Sequence, residues 1–147
     1  MKTVDPAIVE QRLERLRLAC QNTGMRLTHQ RMEIFREVAQ TAEHPDAETI
    51  FKRARKRMPT VSHDTVYRTL TSLEKMELIS RVALIGGRAR YDANRDTHHH
   101  FVCTQCGGIA DVYFNEEPPL PENIENLGSV ESLHLQIRGV CHTCGNN

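Results

Sequence analysis

The chain has 147 residues, which is enough for one domain or two small ones. Its 19 basic and 19 acidic side chains cancel in sum, but residues 1–91 hold 17 basic and 11 acidic (+6), and the remainder holds 2 and 8 (−6). This uneven charge indicates two functions, with the basic first part binding polyanions and the acidic remainder binding cations. No apolar run approaches the ~20 residues of a membrane span, and no apolar signal-peptide segment follows Met1, so we expect a cytoplasmic protein without a membrane partner.

Residues 1–80 show the spacing of four amphipathic helices. The first helix carries Val9, Leu13, Leu16 and Cys20 on one face and ends near Gly24. Thr28 and Ser62 are the predicted N-caps of the second and fourth helices, and the third helix is predicted to start near Asp46. The side chains predicted to face inward from those helices are Phe35, Val38, Ala39, Ala47, Ile50, Phe51, Ala54, Met58, Val66, Leu70, Leu73 and Met76.

Strand patterns follow the fourth helix. Runs at 78–85 and 88–92 flank Gly86-Gly87, a typical hairpin turn, and helices followed by a hairpin are the elements of a winged helix-turn-helix. Strands are also predicted at 97–102, 109–114 and 133–138, with a short helix at 122–127; in the last strand Leu133, Leu135 and Ile137 alternate with polar residues, as on a half-buried strand. We therefore predict an α+β protein, with a winged-helix domain at 1–90 and a small α/β domain at 91–147.

Four of the five cysteines form two CxxC pairs. Two such pairs can present four thiolates to a tetrahedral zinc ion, and the glycines at 107, 108 and 145 allow tight turns around the sulfurs. A redox dithiol normally stands alone at the start of a helix, and a zinc deaminase needs a proline before its CxxC, which is absent here. We predict a structural Zn²⁺ site, and we interpret Cys20 as a core residue. The predicted zinc ligands are Cys103, Cys106, Cys141 and Cys144.

The last third also contains consecutive histidines. On a strand, His98 and His100 point to one side and His99 to the other, so the outer two can act as a metal clamp with Asp92 and Asp111 at nearby strand ends. Surface histidines on a polar strand would give the same pattern. Imidazole and carboxylate donors without a thiolate suit Fe²⁺, Mn²⁺ or Zn²⁺ equally.

The outward side chains of the fourth helix and the hairpin arginines form a candidate DNA-binding set. Short polar groups with an arginine and a tyrosine suit a major groove, and hairpin arginines can contact phosphates or a minor groove. The basic residues at 52–57 are equally well explained as a solvated face that complements the helix dipole. The predicted DNA-binding residues are His63, Thr65, Tyr67, Arg68, Thr69, Ser72, Arg88 and Arg90.

The motifs at 24–31 (GMRLTHQR), 42–45 (AEHP), 65–70 (TVYRTL) and 98–107 (HHHFVCTQCG) resemble those of the ferric uptake regulator family of bacterial metal-dependent repressors. The resemblance implies a winged-helix DNA-binding domain, a hinge near Tyr91, a C-terminal dimerisation domain, a homodimer and a double-stranded, palindromic operator. It also implies a regulatory metal site that joins the two domains and makes a bridging ligand of His44, which would otherwise be interpreted as a loop residue. The implied ligands are His44, Asp92, His98, His100 and Asp111.

The two aspartates point to a subfamily. Iron-uptake regulators of the family generally carry glutamate at these positions, whereas the peroxide-sensing branch carries aspartate at both. In that branch, bound Fe²⁺ reacts with hydrogen peroxide and oxidises a ligand histidine, for which the candidates here are His44 and His98. We therefore expect a peroxide-responsive repressor that uses Fe²⁺ or Mn²⁺. The alternative within the family is an iron- or zinc-responsive uptake repressor.

Two further features bear on function. Some relatives hold a third metal with a residue just before the H-x-H pair, an acidic residue between its two histidines and a further histidine. Here the first two positions are Thr97 and His99, and His134 is one residue out of phase with the third, so a third site is not expected. The stretch 116–127 is short and proline-rich, so we expect a reduced dimerisation helix. A metal-dependent enzyme is disfavoured because five protein ligands would fill the site, whereas a catalytic metal keeps an open position.

Overall fold

The computed structural model describes residues 1–82 and 87–146. These residues form two compact units, Met1–Arg95 and Asp96–Asn147. Tyr91 to Arg95 thus group with the helices, whereas the sequence placed the boundary after residue 90. No helix within the described residues is long and apolar enough to cross a membrane.

Each of the four helices in the first unit begins at a residue whose side-chain oxygen accepts a hydrogen bond from a first-turn amide, which satisfies one of the unpaired N–H groups there. The capping residues are Asp5, Thr28, Asp46 and Ser62. Capping was predicted for Thr28 and Ser62, and a helix start was predicted near Asp46. Gly24 ends the first helix at φ 70°, a left-handed conformation that glycine adopts without steric cost. The helices are α1 (Pro6–Thr23), α2 (His29–Ala39), α3 (Ala47–Arg55) and α4 (His63–Lys75).

One hydrophobic core holds these helices together. The four predicted positions of α1 are all buried, and Leu16, Ile34, Val38, Ile50 and Leu70 are fully inaccessible to solvent. Of the predicted inward residues, Met76 is only partly buried and packs at the edge of the core. The sequence therefore predicts most of the helical part of this core, because helical periodicity and burial coincide here. The core residues that were not predicted are Ile34, Val61, Leu78, Ile79, Tyr91 and Ala93.

A helix-turn-helix and a hairpin complete the first unit. The turn after Pro59 joins α3 to α4, and β1 (Ser80–Val82) pairs antiparallel with β2 (Arg90–Asp92). The hairpin prediction is confirmed in its pairing, although both strands are shorter than predicted within the described residues. Part of the predicted turn, Gly86, lies outside those residues. This arrangement is a winged helix-turn-helix.

The second unit is a three-stranded sheet with few helical residues. Its strands are β3 (His99–Cys103), β4 (Ile109–Val112) and β5 (Gln136–Gly139), in the order β4-β3-β5. The central strand β3 is antiparallel to β4 and parallel to β5. The helix predicted at 122–127 is a single 3-10 turn, Ile124–Asn126, and a short helix α5 (His142–Gly145) follows the sheet.

The predicted half-buried face of the last strand is only partly present. The strand begins at Gln136, three residues later than predicted, so Leu133 and Leu135 precede it and are half-buried. Ile137 is 41% exposed, and its prediction as a covered residue is wrong for the single chain. The physical reason is that β5 lies at the edge of a small sheet, where no described element of the unit covers its outer face.

The Asp46 cap should make stability depend on pH. Burial opposes ionisation of Asp46, but its hydrogen bonds with Thr49 and the nearby Arg88 outweigh that effect and hold the pKa of the carboxyl below its usual value. We expect Asp46→Ala to lower the free energy of unfolding by about 1 kcal/mol at neutral pH. Because the folded-state pKa is the lower one, this contribution is present above the unfolded-state pKa and is lost as pH falls through the folded-state pKa.

Urea unfolding at neutral pH and at pH about 3 checks this expectation. Asp46→Asn keeps a capping oxygen without the charge. It should therefore retain most of the free energy of unfolding that the cap contributes, and lose the pH dependence of that contribution. An unfolding midpoint of Asp46→Ala equal to that of the wild type at neutral pH would show that the cap contributes nothing.

Candidate metal centres and DNA-binding face

Four cysteines of the second unit converge on one point. Cys103 ends β3, Cys106 lies in the following turn, and Cys141 and Cys144 lie at and within α5. The four sulfurs lie within 4.8 Å of one another, and Cys106 Sγ is 3.9 Å from Cys141 Sγ. A tetrahedral zinc ion with Zn–S bonds of about 2.3 Å separates its sulfurs by about 3.8 Å. All four are free thiols, so both the donor set and its spacing fit a closed zinc site.

Backbone amides polarise this cluster. The amide of Cys141 donates to Cys103 Sγ (3.3 Å), and that of Gly108 donates to Cys106 Sγ (3.4 Å). Hydrogen bonds from the amides of Cys106 and Cys141 lower the pKa of the Cys103 thiol to about 6. Side-chain hydrogen bonds with Cys141 and Cys106 instead raise the pKa of the Cys144 thiol to about 12. A divalent cation would replace such shared protons and bind all four sulfurs as thiolates.

The predicted glycines beside the cysteines play different roles. Gly107 has φ 69°, which lets the chain reverse direction between Cys106 and β4. A Cβ at Gly108 would approach Cys106 Sγ to 3.3 Å, so a larger residue there would make a tight contact with the sulfur. Gly145 is the last residue of the single-turn helix α5, and its amide donates to the carbonyl of Cys141 (2.9 Å), so the chain does turn tightly at the second cysteine pair.

Two histidines and an aspartate form a second cluster in the same unit. His98 Nε2 lies 3.1 Å from His100 Nε2, and the two nitrogens lie 3.5 and 3.6 Å from Asp111 Oδ1. Asp111 faces them because β4 pairs it with His100. The Nδ1–H of His98 donates to the carbonyl of Asp96 (2.6 Å), which turns Nε2 toward the cluster. Two imidazole nitrogens and one carboxylate oxygen form a donor set typical of Fe²⁺, Mn²⁺ and Zn²⁺ sites.

His99 has a different role from its neighbours. As predicted from strand geometry, it faces away from His98 and His100, and it is 3% exposed. Its Nδ1 accepts a hydrogen bond from the amide of Leu135 (3.0 Å), and its ring packs edge-on against Phe114. His134 is exposed. His99 thus anchors the segment before β5 to the central strand.

The remaining two predicted ligands lie together in the first unit. His44 follows α2, and Asp92 ends β2; His44 Nε2 lies 3.2 Å from Asp92 Oδ2. Both residues are buried, at 3% and 7% exposure. His44 has φ 53°, a left-handed conformation that is unusual for a residue with a Cβ and is found at sites where the surroundings enforce it. Within this unit the two side chains form a two-donor group of one imidazole and one carboxylate.

Helix α4, the second helix of the helix-turn-helix, exposes fewer of the predicted DNA-binding residues than its sequence indicates. His63, Tyr67 and Arg68 are exposed. Thr65 and Ser72 are half-buried and bond Ser62 Oγ and Met25 Sδ. Thr69 is 9% exposed, so the prediction that it faces outward is wrong: it lies three residues from Val66 and four from Leu73, on the buried side of the helix.

Three exposed residues of α4 were not among the predicted DNA-binding residues, namely Asp64, Thr71 and Lys75. Asp64 and Thr71 share a face with Arg68, because positions 64, 68 and 71 follow the i, i+4, i+7 spacing that could have identified them. Asp64 Oδ2 accepts from Arg68 Nε at 3.2 Å. The predicted His63 stacks on the ring of Phe51, with centroids 3.6 Å apart, so its ring also joins the two helices of the motif.

The basic residues around the end of α3 pair mainly with acidic side chains of the first unit. Arg53 contacts Glu43 (3.0 Å), Arg57 contacts the buried Glu33 (3.1 Å), and Lys52 contacts Glu48 (3.4 Å). This pairing favours the interpretation of 52–57 as a structural, solvated face. On the hairpin, Arg88 is largely exposed, 3.6 Å from Asp46, whereas Arg90 is half-buried and its guanidinium donates to backbone carbonyls.

The Asp64–Arg68 pair should moderate binding to polyanions. We expect Asp64→Asn to raise the affinity for non-specific duplex DNA by about three- to tenfold at low salt, because it removes a negative charge and releases the guanidinium. Glu14→Gln makes the same charge change in an ion pair of α1, between Glu14 and Arg17, and is the matched control. Fluorescence anisotropy over a salt series measures both. Equal gains in the two variants would show that only net charge matters.

A sequence model of the ferric uptake regulator family matches residues 22–138 of this chain. The chain belongs to that family. The peroxide-responsive repressor PerR of Staphylococcus aureus (strain USA300) is 26% identical over 144 residues, which cover 97% of each chain. The ferric uptake regulator Fur of Helicobacter pylori superposes with a TM-score of 0.73 at 26% identity, covering 99% of this chain and 97% of that one. A zinc-bound manganese uptake regulator gives a TM-score of 0.65 at 27% identity, covering 86% and 98%.

These similarities establish the winged-helix and dimerisation-domain fold of the ferric uptake regulator family. They do not separate its branches, because relatives named for peroxide, iron and manganese are all 26–27% identical to this chain. The branch must therefore be argued from the ligands themselves.

Proposed function

We propose that this chain is a homodimeric, metal-dependent DNA-binding repressor that responds to hydrogen peroxide. The observation that carries the proposal is the donor set: His98, His100 and Asp111 converge in the second unit, and His44 meets Asp92 in the first. Together they supply three imidazoles and two carboxylates with no thiolate. This set suits a hard or borderline divalent cation such as Fe²⁺ or Mn²⁺.

The structural zinc and the DNA-binding face complete the proposal. Cys103, Cys106, Cys141 and Cys144 would hold the zinc, whose role is to stabilise the small sheet of the second unit. Tyr67 and Arg68 on the exposed side of α4 would read base edges in the major groove, with His63 at the start of that helix and Arg88 near phosphates. A dimer would present two such helices to a palindromic operator.

Regulation would follow from the distribution of the ligands. We propose that the His44–Asp92 pair and the cluster of His98, His100 and Asp111 complete one five-ligand site. A metal that binds all five ligands favours the arrangement of the chain in which they meet, so it shifts the population toward the DNA-binding form. Loss of any one ligand would weaken binding of the metal and so reverse the shift in population.

Peroxide sensing would use the same ligands. A bound Fe²⁺ would supply the redox chemistry that activates hydrogen peroxide. In the net reaction the O–O bond breaks, one oxygen replaces the hydrogen of a ring C–H bond of an imidazole, and the other leaves as water, so the imidazole is the group oxidised and peroxide the group reduced. His44 and His98 are the proposed targets. An oxidised imidazole is a poorer ligand, so the site would lose its metal. Without the metal, the repressor would dissociate from its operator.

Mass spectrometry after peroxide treatment tests this function. The Fe²⁺ form should gain the mass of one oxygen on His44 or His98, while the Mn²⁺ form, treated in parallel, should not. The variant Asp92→Glu should slow the gain. Oxidation confined to cysteines would indicate a thiol switch, and no oxidation with metal-dependent operator binding would indicate an iron- or zinc-responsive uptake repressor. Operator binding that is unaffected by chelation would contradict a metal-dependent regulator altogether.

A further inference from the structure

The loop that carries His44 is tied to the hairpin of the winged helix. His44 is buried with a left-handed backbone, between the end of α2 and the Asp46 cap of α3. A conformation of this kind persists only where neighbouring groups enforce it. Its backbone partners therefore determine where the imidazole points.

Arg90 supplies side-chain hydrogen bonds to the backbone carbonyls of this loop. Its Nε donates to the carbonyl of His44, and its Nη2 donates to the carbonyl of Glu43 (2.9 Å). The backbone of β2 adds to the attachment: the amide of Tyr91 donates to the carbonyl of Pro45 (3.0 Å), and Asp46 forms an isolated antiparallel bridge with Arg90. Two residues further along the same strand is Asp92, the carboxylate that meets His44.

We propose that Arg90 is a positioning residue for the regulatory metal site, and that it does not act as a DNA contact. Its guanidinium fixes the His44 loop to the strand that carries Asp92. The imidazole of His44 and the carboxylate of Asp92 therefore stay close enough to bind the same metal ion. The inference rests on the proposed function, since it assigns Arg90 to that function's metal site. It replaces the sequence-based prediction that Arg90 contacts DNA.

The chemistry of the guanidinium explains why an arginine is needed. Its planar fork presents several N–H donors in fixed directions, so it can satisfy two successive carbonyls at once, whereas a lysine ammonium offers a single mobile point of attachment. Loss of these donors would leave the carbonyls of a partly buried loop without their partners, and the loop could relax from its left-handed conformation. The neighbouring Arg88 provides a contrast, because it is largely exposed and pairs with a carboxylate.

The decisive experiment compares Arg90→Met and Arg90→Lys with Arg88→Met in zinc-loaded, full-length protein. Co²⁺ is titrated into each, and its ligand-field absorption reports both affinity and coordination at the regulatory site. We expect Arg90→Met to bind Co²⁺ about 10- to 100-fold more weakly, with an altered spectrum, and Arg90→Lys to recover part of the loss. Arg88→Met should bind Co²⁺ as the wild type does.

DNA affinity at saturating Mn²⁺ separates the two roles. If Arg90 positions the ligand, excess Mn²⁺ restores most of the operator affinity of Arg90→Met, while Arg88→Met stays weak. If Arg90→Met binds Co²⁺ like the wild type but loses operator affinity as Arg88→Met does, Arg90 is a DNA contact and the inference is wrong. Should Arg90→Met fail to fold by circular dichroism, Arg90→Lys alone decides, since unchanged Co²⁺ affinity and spectrum in it would overturn the inference. If zinc-loaded wild-type protein bound no Co²⁺ at all, the proposed function itself would be refuted, because the regulatory metal site would not exist.

Discussion

Replacing Cys106 with serine is expected to release the zinc and unfold the second unit. Within the described part of that unit, the buried apolar side chains are Val102, Cys103 and Ile109, which is too small a core to stabilise a three-stranded sheet alone. A structural zinc contributes on the order of 10 kcal/mol in small domains, so its loss removes the main stabilising interaction. The first unit has its own core and should stay folded.

Zinc content after gel filtration and amide hydrogen exchange along β3 measure this result. The matched control is Cys20→Ala, which removes a buried thiol from α1 outside the zinc site. It should keep one zinc per chain and native exchange in β3, with only a modest loss of stability in the first unit. A Cys106→Ser protein that kept one zinc per chain and native protection in β3 would exclude a structural role for the cysteine cluster.

Substitution of a single regulatory ligand should abolish the response to metal. We expect His98→Ala to lower operator affinity by about 10- to 100-fold at a fixed, limiting Mn²⁺ concentration, which is the usual range of coupling between two binding sites. In excess chelator the variant and the wild type should bind equally weakly, because the substitution does not touch α4. Zinc content should be unchanged.

Anisotropy with a labelled operator, over a Mn²⁺ series, checks the expectation. His134→Ala is the control, since it removes an exposed histidine of the same unit that is outside the cluster. If His98→Ala followed the wild-type Mn²⁺ dependence, the proposed regulatory site would be wrong. If it bound the operator weakly even at saturating metal and had lost zinc, the defect would be one of folding.

Local physical rules predicted most of this fold from the sequence. Helix starts were accessible because a capping side chain acts on an amide two or three residues away, as Ser62 does on Thr65. Strand alternation likewise predicted that His98 and His100 face one way and His99 the other. The cysteine spacing predicted a four-sulfur cluster, since two CxxC pairs have few other uses in a chain of this composition.

Features that depend on distant partners were not accessible in this way. Nothing near Arg90 in the sequence shows that its guanidinium meets the carbonyls of residues 43 and 44. The pairing of Arg57 with Glu33 joins residues on different helices, so the basic run appeared available for DNA. Thr69 was misplaced for a different reason: its hydroxyl suggested solvent, although helical geometry puts it beside Val66 and Leu73.

The central strand β3 has a practical consequence for anyone who handles this protein. It carries His100 and Cys103 only three residues apart, or about 10 Å along an extended strand, so the two clusters share one piece of backbone. A chelator strong enough to remove zinc from the cysteines would also disorder the histidine cluster. The protein would then fail to respond to the regulatory metal because of lost zinc rather than because of a defect in the regulatory site. Purification should therefore use a weak chelator, with zinc assayed before every titration.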